Sequence, residues 1–357
     1  MVSPATAGLR IGTAGWSYAD WYGTFYPLAA KTRGFDELEF YCQHFDTVEL
    51  NSSYYRIPLP YLIESWIRRT PEDFLFSVKA FSALTHHFEA AATRTFGEFA
   101  TAVAPFREAG KLGTVLMQFP PRFQRDESGI AYLRLLPDLL PELPVVVEFR
   151  HENWVNGAAG GETVDLLREL GLGFCCVDEP QLKGNMPPFT AATGSVGYVR
   201  FHGRNADDWW PAINQRHAQQ LRREIRRDSG SHRERRAREK ELTAQLEAQK
   251  AQRYNYLYSQ TELFPWKNRI ASVDREAATT FIITNNHFVG QAVANAKMLQ
   301  TIFDQPPRGE ETEHLQQLVL AASESEQGSS WSVAEDDSSD PTAADGGHFQ
   351  PRLTNII

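Results

Sequence analysis

The sequence has few cysteines and no long apolar segment, and both shortages narrow the class of protein. Its three cysteines are Cys42, Cys175 and Cys176, and the last two are adjacent within an apolar run. This spacing fits neither a disulfide framework nor a zinc site, so we expect reduced structural thiols. No apolar run approaches the roughly eighteen residues of a membrane span, and the start, MVSPATAGLRIG, lacks the features of a secretory signal. We therefore expect a cytoplasmic protein without membrane association.

Common nucleotide and metalloprotease signatures are also missing. Neither GxGxxG nor GxxxxGK[ST] occurs, and there is no HExxH. The glycine-rich turn is the usual mark of a doubly wound open sheet that binds nucleotides. Its absence disfavours that fold, which is the main alternative for a chain that alternates strands and helices. The sequence identifies no cofactor.

Charge is unevenly distributed along the 357 residues, whose formal net charge is -9. Residues 214–253 carry twelve Lys/Arg against six Asp/Glu and no aromatic residue, whereas residues 304–357 carry eleven acids and two arginines. In the basic stretch, Leu221 and Ile225, then Leu242 and Leu246, have i,i+4 spacing on either side of a Ser-Gly-Ser break, which predicts an exposed helical hairpin. The acidic stretch offers one short helix, EETEHLQQLVLAA, and is then too polar to fold from about Ser323.

Eight short runs of β-branched, aromatic and aliphatic residues recur in the remaining 250 to 260 or so residues, the usual size of a (β/α)₈ barrel. They are RIGTAGW, DTVELNSSYY, FLFSVKA, GTVLMQF, PVVVEFRH, GFCCVD, GYVRFHG and TFIITNNH. Helical patterns such as GETVDLLRELG lie between them, and alternation of strand and helix implies a parallel sheet. We predict a single TIM-like barrel domain over residues 8–304, with the charged insertion at 214–253 after strand 7 and an acidic, largely disordered tail at 305–357.

Polar residues share one face of six predicted strands, because side chains alternate between the barrel interior and the surrounding helices. The predicted inward set is Glu49 and Asn51, Ser77 and Lys79, Leu116 and Gln118, Glu148 and Arg150, Cys176 and Asp178, and Arg200 and His202. The opposite set, predicted to pack on helices, is apolar: Val48, Leu50, Val78, Met117, Val147, Phe149, Val177, Val199 and Phe201. The polar residues lie near the carboxyl ends of the strands, where barrel active sites are built.

The inward charges nearly cancel, and this balance supports two interpretations. One is an internal ion-pair network that closes the mouth of the barrel. The other, which we favour, is a site for a polar anionic ligand held by Lys79, Arg150 and Arg200. In that case Glu148, Asp178 or His202 would move protons, and which of them is the base stays open. A two-carboxylate glycosidase is disfavoured because neighbouring cations would lower both carboxyl pKa values.

A metal site is a further candidate. Five histidines lie at or after strand ends beside carboxylates: His86, His87, His151, His202 and His287. Each taken singly is better explained as a neutral hydrogen-bonded residue, and interleaved cations work against a multinuclear centre.

Aromatic residues cluster in the first loop, GWSYADWYGTFYP, and packing at the barrel rim explains them better than stacking on a sugar or base. The basic hairpin has no aromatic residue to act as a stacking platform, so nucleic acid is not the favoured partner.

Several of these segments together resemble the YecE-like family, domain of unknown function seventy-two. They are GTAGWSYADW, TVELNSSYYRIP, FLFSVKAFSALTH, LMQFPPRF, VVEFRHENW, VRFHGR, RYNYLYSQTEL and NNHFVGQAVANA, and they cover about residues 12–299. The resemblance implies a TIM-like barrel and no established activity. The positions that match the family's polar motifs are Glu49, Asn51, Tyr55, Lys79, His86, Gln118, Glu148, Arg150, His151, Asp178, Arg200, His202, Asn285, Asn286 and His287. The charged insertion and the acidic tail depart from the family pattern.

Three hypotheses of function follow. The first is an enzyme, a hydrolase or lyase, acting on an anionic substrate, with Glu148, Asp178 and His202 catalytic. Its substrate-binding residues would be Glu49, Asn51, Lys79, Gln118, Arg150, Arg200, Asn285 and Asn286. The second is a metal-dependent phosphodiesterase similar to barrel endonucleases that cut at abasic sites, with Glu49, Glu148, Asp178, His202 and His287 as ligands. The third is a non-catalytic module that binds a metabolite or a partner through the hairpin and tail.

Overall fold

Eight parallel strands form a closed barrel in sequence order, so the (β/α)₈ prediction is confirmed. The structure is a computed structural model, which describes residues 8–31, 34–88, 93–210, 215–228 and 230–325. The strands are β1 (Leu9–Ala14), β2 (Thr47–Leu50), β3 (Leu75–Lys79), β4 (Leu112–Gln118), β5 (Val145–Glu148), β6 (Gly173–Asp178), β7 (Val196–Phe201) and β8 (Thr279–Thr284). Each coincides with one of the eight runs identified in the sequence.

Helices alternate with the strands and surround them. In the described ranges they are α1 (Glu37–His44), α2 (Ser52–Tyr55), α3 (Pro60–Arg68), α4 (Ser82–Thr85), α5 (Thr93–Glu108), α6 (Glu127–Leu139), α7 (Ala158–Glu169), α8 (Gln215–Arg227), α9 (His232–Gln252), α10 (Gln260–Leu263), α11 (Trp266–Glu276), α12 (Gln291–Ile302) and α13 (Glu313–Glu324). None of these combines the length and apolar composition that a bilayer-spanning helix requires.

Large apolar side chains on the outer face of the strands pack against this helical layer. The Phe76 ring of β3 lies 4.6 Å from that of Phe106 in α5, and the Phe201 ring of β7 lies 5.2 Å from that of Trp266 in α11. Phe149 stacks on Trp154 at 4.1 Å. These contacts confirm the outward face predicted for β5 and β7, and they orient the polar residues at alternate positions toward the barrel interior.

The interior and the first loop are also filled by aromatic rings. Phe281 of β8 crosses the interior to Gly113 of β4, where even a methyl group would overlap the ring. In the first loop Trp21, Phe25 and Tyr26 have almost no exposed surface, so packing accounts for most of that aromatic cluster.

The charged insertion forms two helices, α8 and α9, that contact each other as the predicted hairpin requires. Ala218 and Leu242 are buried, and Ser231 caps α9 through a capping box with Glu234. Ser229, part of the predicted break, lies outside the described residues. The second helix spans 21 residues, longer than the sequence indicated, and ends one residue before Arg253.

The chain beyond β8 adds two helices, α12 and α13, that contact each other. Leu315 and Ala322 of α13 are buried, so the short helix predicted in the acidic stretch is present. Residues 305–325 therefore pack as part of the folded unit, and the predicted tail boundary at residue 304 is too early. The disorder predicted from about Ser323 concerns residues that, from 326 on, lie outside the described ranges.

Candidate functional site

Arg200 is fully buried inside the barrel and is held by two carboxylates. Its Nε and Nη2 donate to Glu49 at 2.8 and 2.5 Å, and its Nη1 donates to Glu148 Oε2 at 2.8 Å. The Tyr198 hydroxyl donates to the same Glu49 carboxylate and contacts the Ser77 hydroxyl. Burial alone would lower the pKa of Arg200, but the two carboxylates hold it well above its usual value. Arg200 and Glu49, both predicted to bind substrate, lie instead in a closed ion-pair network with no exposed surface.

Glu148 connects this buried network to the mouth. Arg150 Nη1 donates to Glu148 Oε1 at 3.0 Å, and His202 Nε2 lies 3.0 Å from the same oxygen. Burial would raise the pKa of Glu148, but Arg200 and His202 hold it well below its ordinary value, so the carboxylate is ionised. Burial and the charge of Arg150 lower the pKa of His202, so its imidazole is neutral. His202 Nδ1 lies 3.0 Å from the Asn285 amide nitrogen, and Nε2 lies 3.0 Å from both Glu148 Oε1 and Arg150 Nη1.

Asp178, predicted to face inward as a proton-transfer residue, lies on the outer side of the barrel. Its Oδ1 accepts a hydrogen bond from the Tyr258 hydroxyl at 2.7 Å, and its Oδ2 accepts one from Trp266 Nε1 at 2.9 Å. Arg204 donates to both oxygens, at 2.8 and 2.7 Å. The predicted face of β6 is therefore wrong, and the same shift places Cys176 outward as well. Asp178 ties the start of α11 to the barrel wall.

Glu179, which the sequence reasoning missed, takes the inward position. In the pairing of β6 with β7, Val177 lies opposite Arg200, and opposed residues of a parallel pair point to the same side of the sheet. Burial raises the pKa of Glu179, although Arg150 Nη2 lies 2.9 Å from its Oε2. The Met186 backbone nitrogen donates to Oε1 at 2.9 Å. Glu179 directly follows Asp178 in the sequence, so a shift of one residue in the predicted face of β6 would have identified it.

Lys79 and Gln118 lie together at the carboxyl ends of β3 and β4, as their predicted inward face requires. Lys79 Nζ donates to Gln118 Oε1 at 2.8 Å and lies 4.8 Å from the centre of the Tyr54 ring. Burial and the nearby charge of Arg200 lower the pKa of Lys79 to about 8. Within the described part of the chain no carboxylate oxygen lies within 4 Å of this amine.

A cleft of about 120 Å³ opens at this end of the barrel. It is lined by His86, Gln118, Pro120, Pro121, Arg150, Asn185, Trp209, Trp210 and Arg253. Arg253 comes from the end of the insertion, and its guanidinium stacks on the Trp209 ring at 4.1 Å, while that of Arg150 lies 5.2 Å from the same ring. Among the described residues Arg253 Nε is buried without a hydrogen-bond partner. Arg253 was missed because it was counted with the insertion, although it is the first residue of the motif RYNYLYSQTEL.

The comparisons agree with this architecture. A model of the family described as "Protein of unknown function DUF72" matches residues 10–317, nearly all of the described chain. The chain belongs to this family. The YunF protein of Bacillus subtilis, a UPF0759 protein, is 30% identical over 303 residues, which are 83% of this chain and 95% of that protein. The UPF0759 protein YecE of Escherichia coli K12 is 31% identical over 166 residues, 45% of this chain and 55% of YecE.

Solved DUF72 structures have the same fold. A DUF72 protein from Thermotoga maritima matches with a TM-score of 0.65 at 28% identity, covering 84% of this chain and 100% of that one. One from Enterococcus faecalis matches with a TM-score of 0.66 at 23% identity, covering 85% and 100%. The family description states no activity, so the reaction has to be argued from the site itself.

Two further residues predicted to bind substrate have structural partners in this DUF72 chain. The Asn286 amide nitrogen donates to the Tyr256 carbonyl and to Asn295 Oδ1, both at 2.7 Å, and so braces the segment after the insertion. Asn51 lies near the Tyr18 hydroxyl, which donates to the Ala14 carbonyl at 2.6 Å and whose pKa is raised by burial. Neither residue lines the cleft.

Of the five candidate metal ligands Glu148 and His202 contact each other, but the described residues contain no group of three that could hold a metal ion. Glu49 and Glu148 are both held by Arg200, and His287 stacks on the Tyr18 ring at 4.5 Å. His86 lines the cleft, where burial and Lys79 lower its pKa to about 4. In the described ranges no three His, Cys, Asp or Glu side chains are arranged to hold a metal ion, so no observation favours the phosphodiesterase hypothesis.

Proposed function

We propose that this DUF72 protein is an enzyme that binds an anionic substrate, bearing a phosphate or carboxylate group, in the cleft at the barrel mouth. The observation that carries the proposal is Arg253. Arg253 is half-buried, its guanidinium lies over the Trp209 ring with Nε buried and unpaired, and among the described residues no carboxylate oxygen lies within 4 Å of it. Partial burial of a cation that no carboxylate contacts costs free energy, and a bound anion would offset that cost.

The charges around the cleft support this assignment. The carboxylates that point into the barrel, Glu148 and Glu179, are both in contact with Arg150, and Arg200 satisfies the remaining carboxylate below them. Lys79 and Arg253 are the two cations here with no carboxylate oxygen within 4 Å in the described chain, and with all three carboxylates ionised the four cations leave a net charge of +1. This surplus fits an anionic ligand, and a guanidinium matches the oxygens of phosphate or carboxylate.

Two carboxyl groups with opposite pKa shifts would provide the chemistry. The pKa of Glu148 is held well below its ordinary value by Arg200 and His202 after burial is overcome, whereas burial raises the pKa of Glu179. Paired groups whose pKa values are pushed apart are typical of acid and base roles. Glu179 would transfer a proton, and the permanently ionised Glu148 would orient Arg150 and His202. Asp178 has no part in this assignment.

Calorimetric titration of the full chain with inorganic phosphate, sulfate and citrate tests the proposal. Arg253→Gln should weaken binding by at least about tenfold, because a charged hydrogen bond contributes about 1.5–3 kcal/mol. Arg134→Gln is the matched control: it removes the same charge from α6, where Arg134 pairs with Glu169 at the surface. Equal affinities of the two variants, or no binding of any of these anions to the unmodified protein, would contradict the proposal.

A further inference from the structure

One large aromatic side chain is exposed in the cleft wall, and a second is exposed after β2. Trp210, which lines the cleft, is 51% exposed, and Tyr55, which follows β2 in α2, is 78% exposed. Most aromatic residues at this end of the barrel are buried, as Trp209 and Trp21 are. An aromatic ring that stays exposed beside a polar cleft is available to stack on a planar ligand group.

Each exposed ring lies next to one of the two cations that lack a carboxylate partner in the described chain. Trp210 shares the wall of the cleft with Arg253. The Tyr55 ring contacts the Tyr54 ring at 5.0 Å, and Lys79 Nζ lies over Tyr54 at 4.8 Å. Tyr54 in turn lies 5.0 Å from the ring of His86, which lines the cleft. A free inorganic anion would use the cations and leave both rings in water.

The cleft of about 120 Å³ has room for a phosphate or carboxylate group, and a group attached to that anion can reach the exposed Trp210 ring in the cleft wall. A planar ring that stacks on an aromatic side chain gains about 1–3 kcal/mol, whereas a flexible aliphatic chain offers no such fit.

We propose that the substrate of this protein carries its anionic group on a planar heteroaromatic group, as a nucleoside monophosphate does. This inference rests on the proposed anion site. The phosphate is held by Arg253 and Arg150 in the cleft, and the ring stacks on Trp210 or Tyr55. The aromatic side chains thus select a substrate with a planar group, and the arginines provide the binding of its anion.

Titration calorimetry of the full chain with AMP, ribose 5-phosphate and inorganic phosphate tests this inference. AMP and ribose 5-phosphate carry the same phosphate, so their difference measures the base. AMP should bind at least about fivefold tighter, which corresponds to one stacked ring. Trp210→Ala or Tyr55→Ala should remove that advantage and leave the phosphate affinity unchanged. Phe264→Ala, which removes a 59% exposed ring that does not line the cleft, is the control.

The outcomes separate the two proposals. Equal affinities for AMP and ribose 5-phosphate overturn the planar-ring inference while the anion site stands. A tighter AMP complex that neither Trp210→Ala nor Tyr55→Ala weakens also overturns it, because the ring would then bind elsewhere. If none of the three ligands binds, the anion-site proposal itself fails.

Discussion

Replacing Arg200 with methionine should destabilise the protein strongly, because it leaves the buried Glu49 without a cation and removes one of the two arginines that contact Glu148. Arg200 donates to Glu49 through Nε and Nη2 and to Glu148 through Nη1, and all three residues are fully buried. Removal of one partner from a buried ion pair costs about 3–5 kcal/mol. Methionine fills much of the same space, so the loss would report the charges more than a cavity. We expect a decrease of at least about 3 kcal/mol in the free energy of unfolding at pH 7.

Urea denaturation followed by tryptophan fluorescence, at pH 5 and pH 7, measures this loss. In the unmodified protein the pKa of Glu148 is held well below its ordinary value, so its stabilisation is present at both pH values and is lost only at more acid pH. In the variant a buried carboxylate that has lost its cation is costly in its ionised form. Folding then favours the protonated form, and stability falls as pH rises. The deficit should therefore be smaller at pH 5 than at pH 7.

Two controls identify the cause. The double variant Arg200→Met/Glu49→Gln should be more stable at pH 7 than Arg200→Met alone, because one uncompensated charge is removed. Arg134→Met, at an exposed surface pair, should leave the free energy of unfolding unchanged. A deficit below about 1 kcal/mol, or a deficit equal at pH 5 and pH 7, would refute the reasoning.

Three further results are expected. Asp178→Asn should lower the free energy of unfolding by about 2 kcal/mol or more in urea denaturation and leave sulfate affinity unchanged, because Asp178 points outward. Glu179→Gln should strengthen sulfate binding, because it removes a carboxylate beside Arg150. The reverse pattern would contradict the register of β6. Gly113→Ala should be destabilising by about 1–3 kcal/mol because its methyl group overlaps the Phe281 ring, and Phe281→Leu should suppress that loss in a double-variant cycle. The pKa of Lys79 is about 8, so sulfate affinity should fall between pH 7 and pH 9 and this dependence should disappear in Lys79→Met; an unchanged profile in the variant would remove Lys79 from the site.

The alternation of side chains predicted most of the inward face from the sequence alone. Lys79, Gln118, Glu148, Arg150 and His202 all point into the barrel, because the period of two is a local property of any strand. The prediction failed on β6, where acidic residues stand at two consecutive positions. Sequence periodicity does not choose between such neighbours, since the phase of a strand is set by its hydrogen-bonded register with the next one.

Distances between side chains also decide which inward residues pair with one another and which of them line the cleft. From the sequence, Arg150 and Arg200 were both predicted to bind the anion. In the structure Arg200 is paired with two carboxylates, whereas Arg150 lines the cleft. Arg253 approaches the site from the end of a 21-residue helix, and its contact with Trp209 spans a long stretch of chain. No local pattern encodes such a contact.

The sequence by itself therefore determined the barrel, its eight strands and the ionisable character of its mouth, since each depends on short-range periodicity and on polar residues at strand ends. Only the tertiary structure decided which charges neutralise one another, that Glu179 rather than Asp178 faces inward, and that Arg253 is left beside the cleft. The physical reason is that ion pairing and burial depend on distances between strands and on the docking of an insertion, which the order of residues along one strand does not contain.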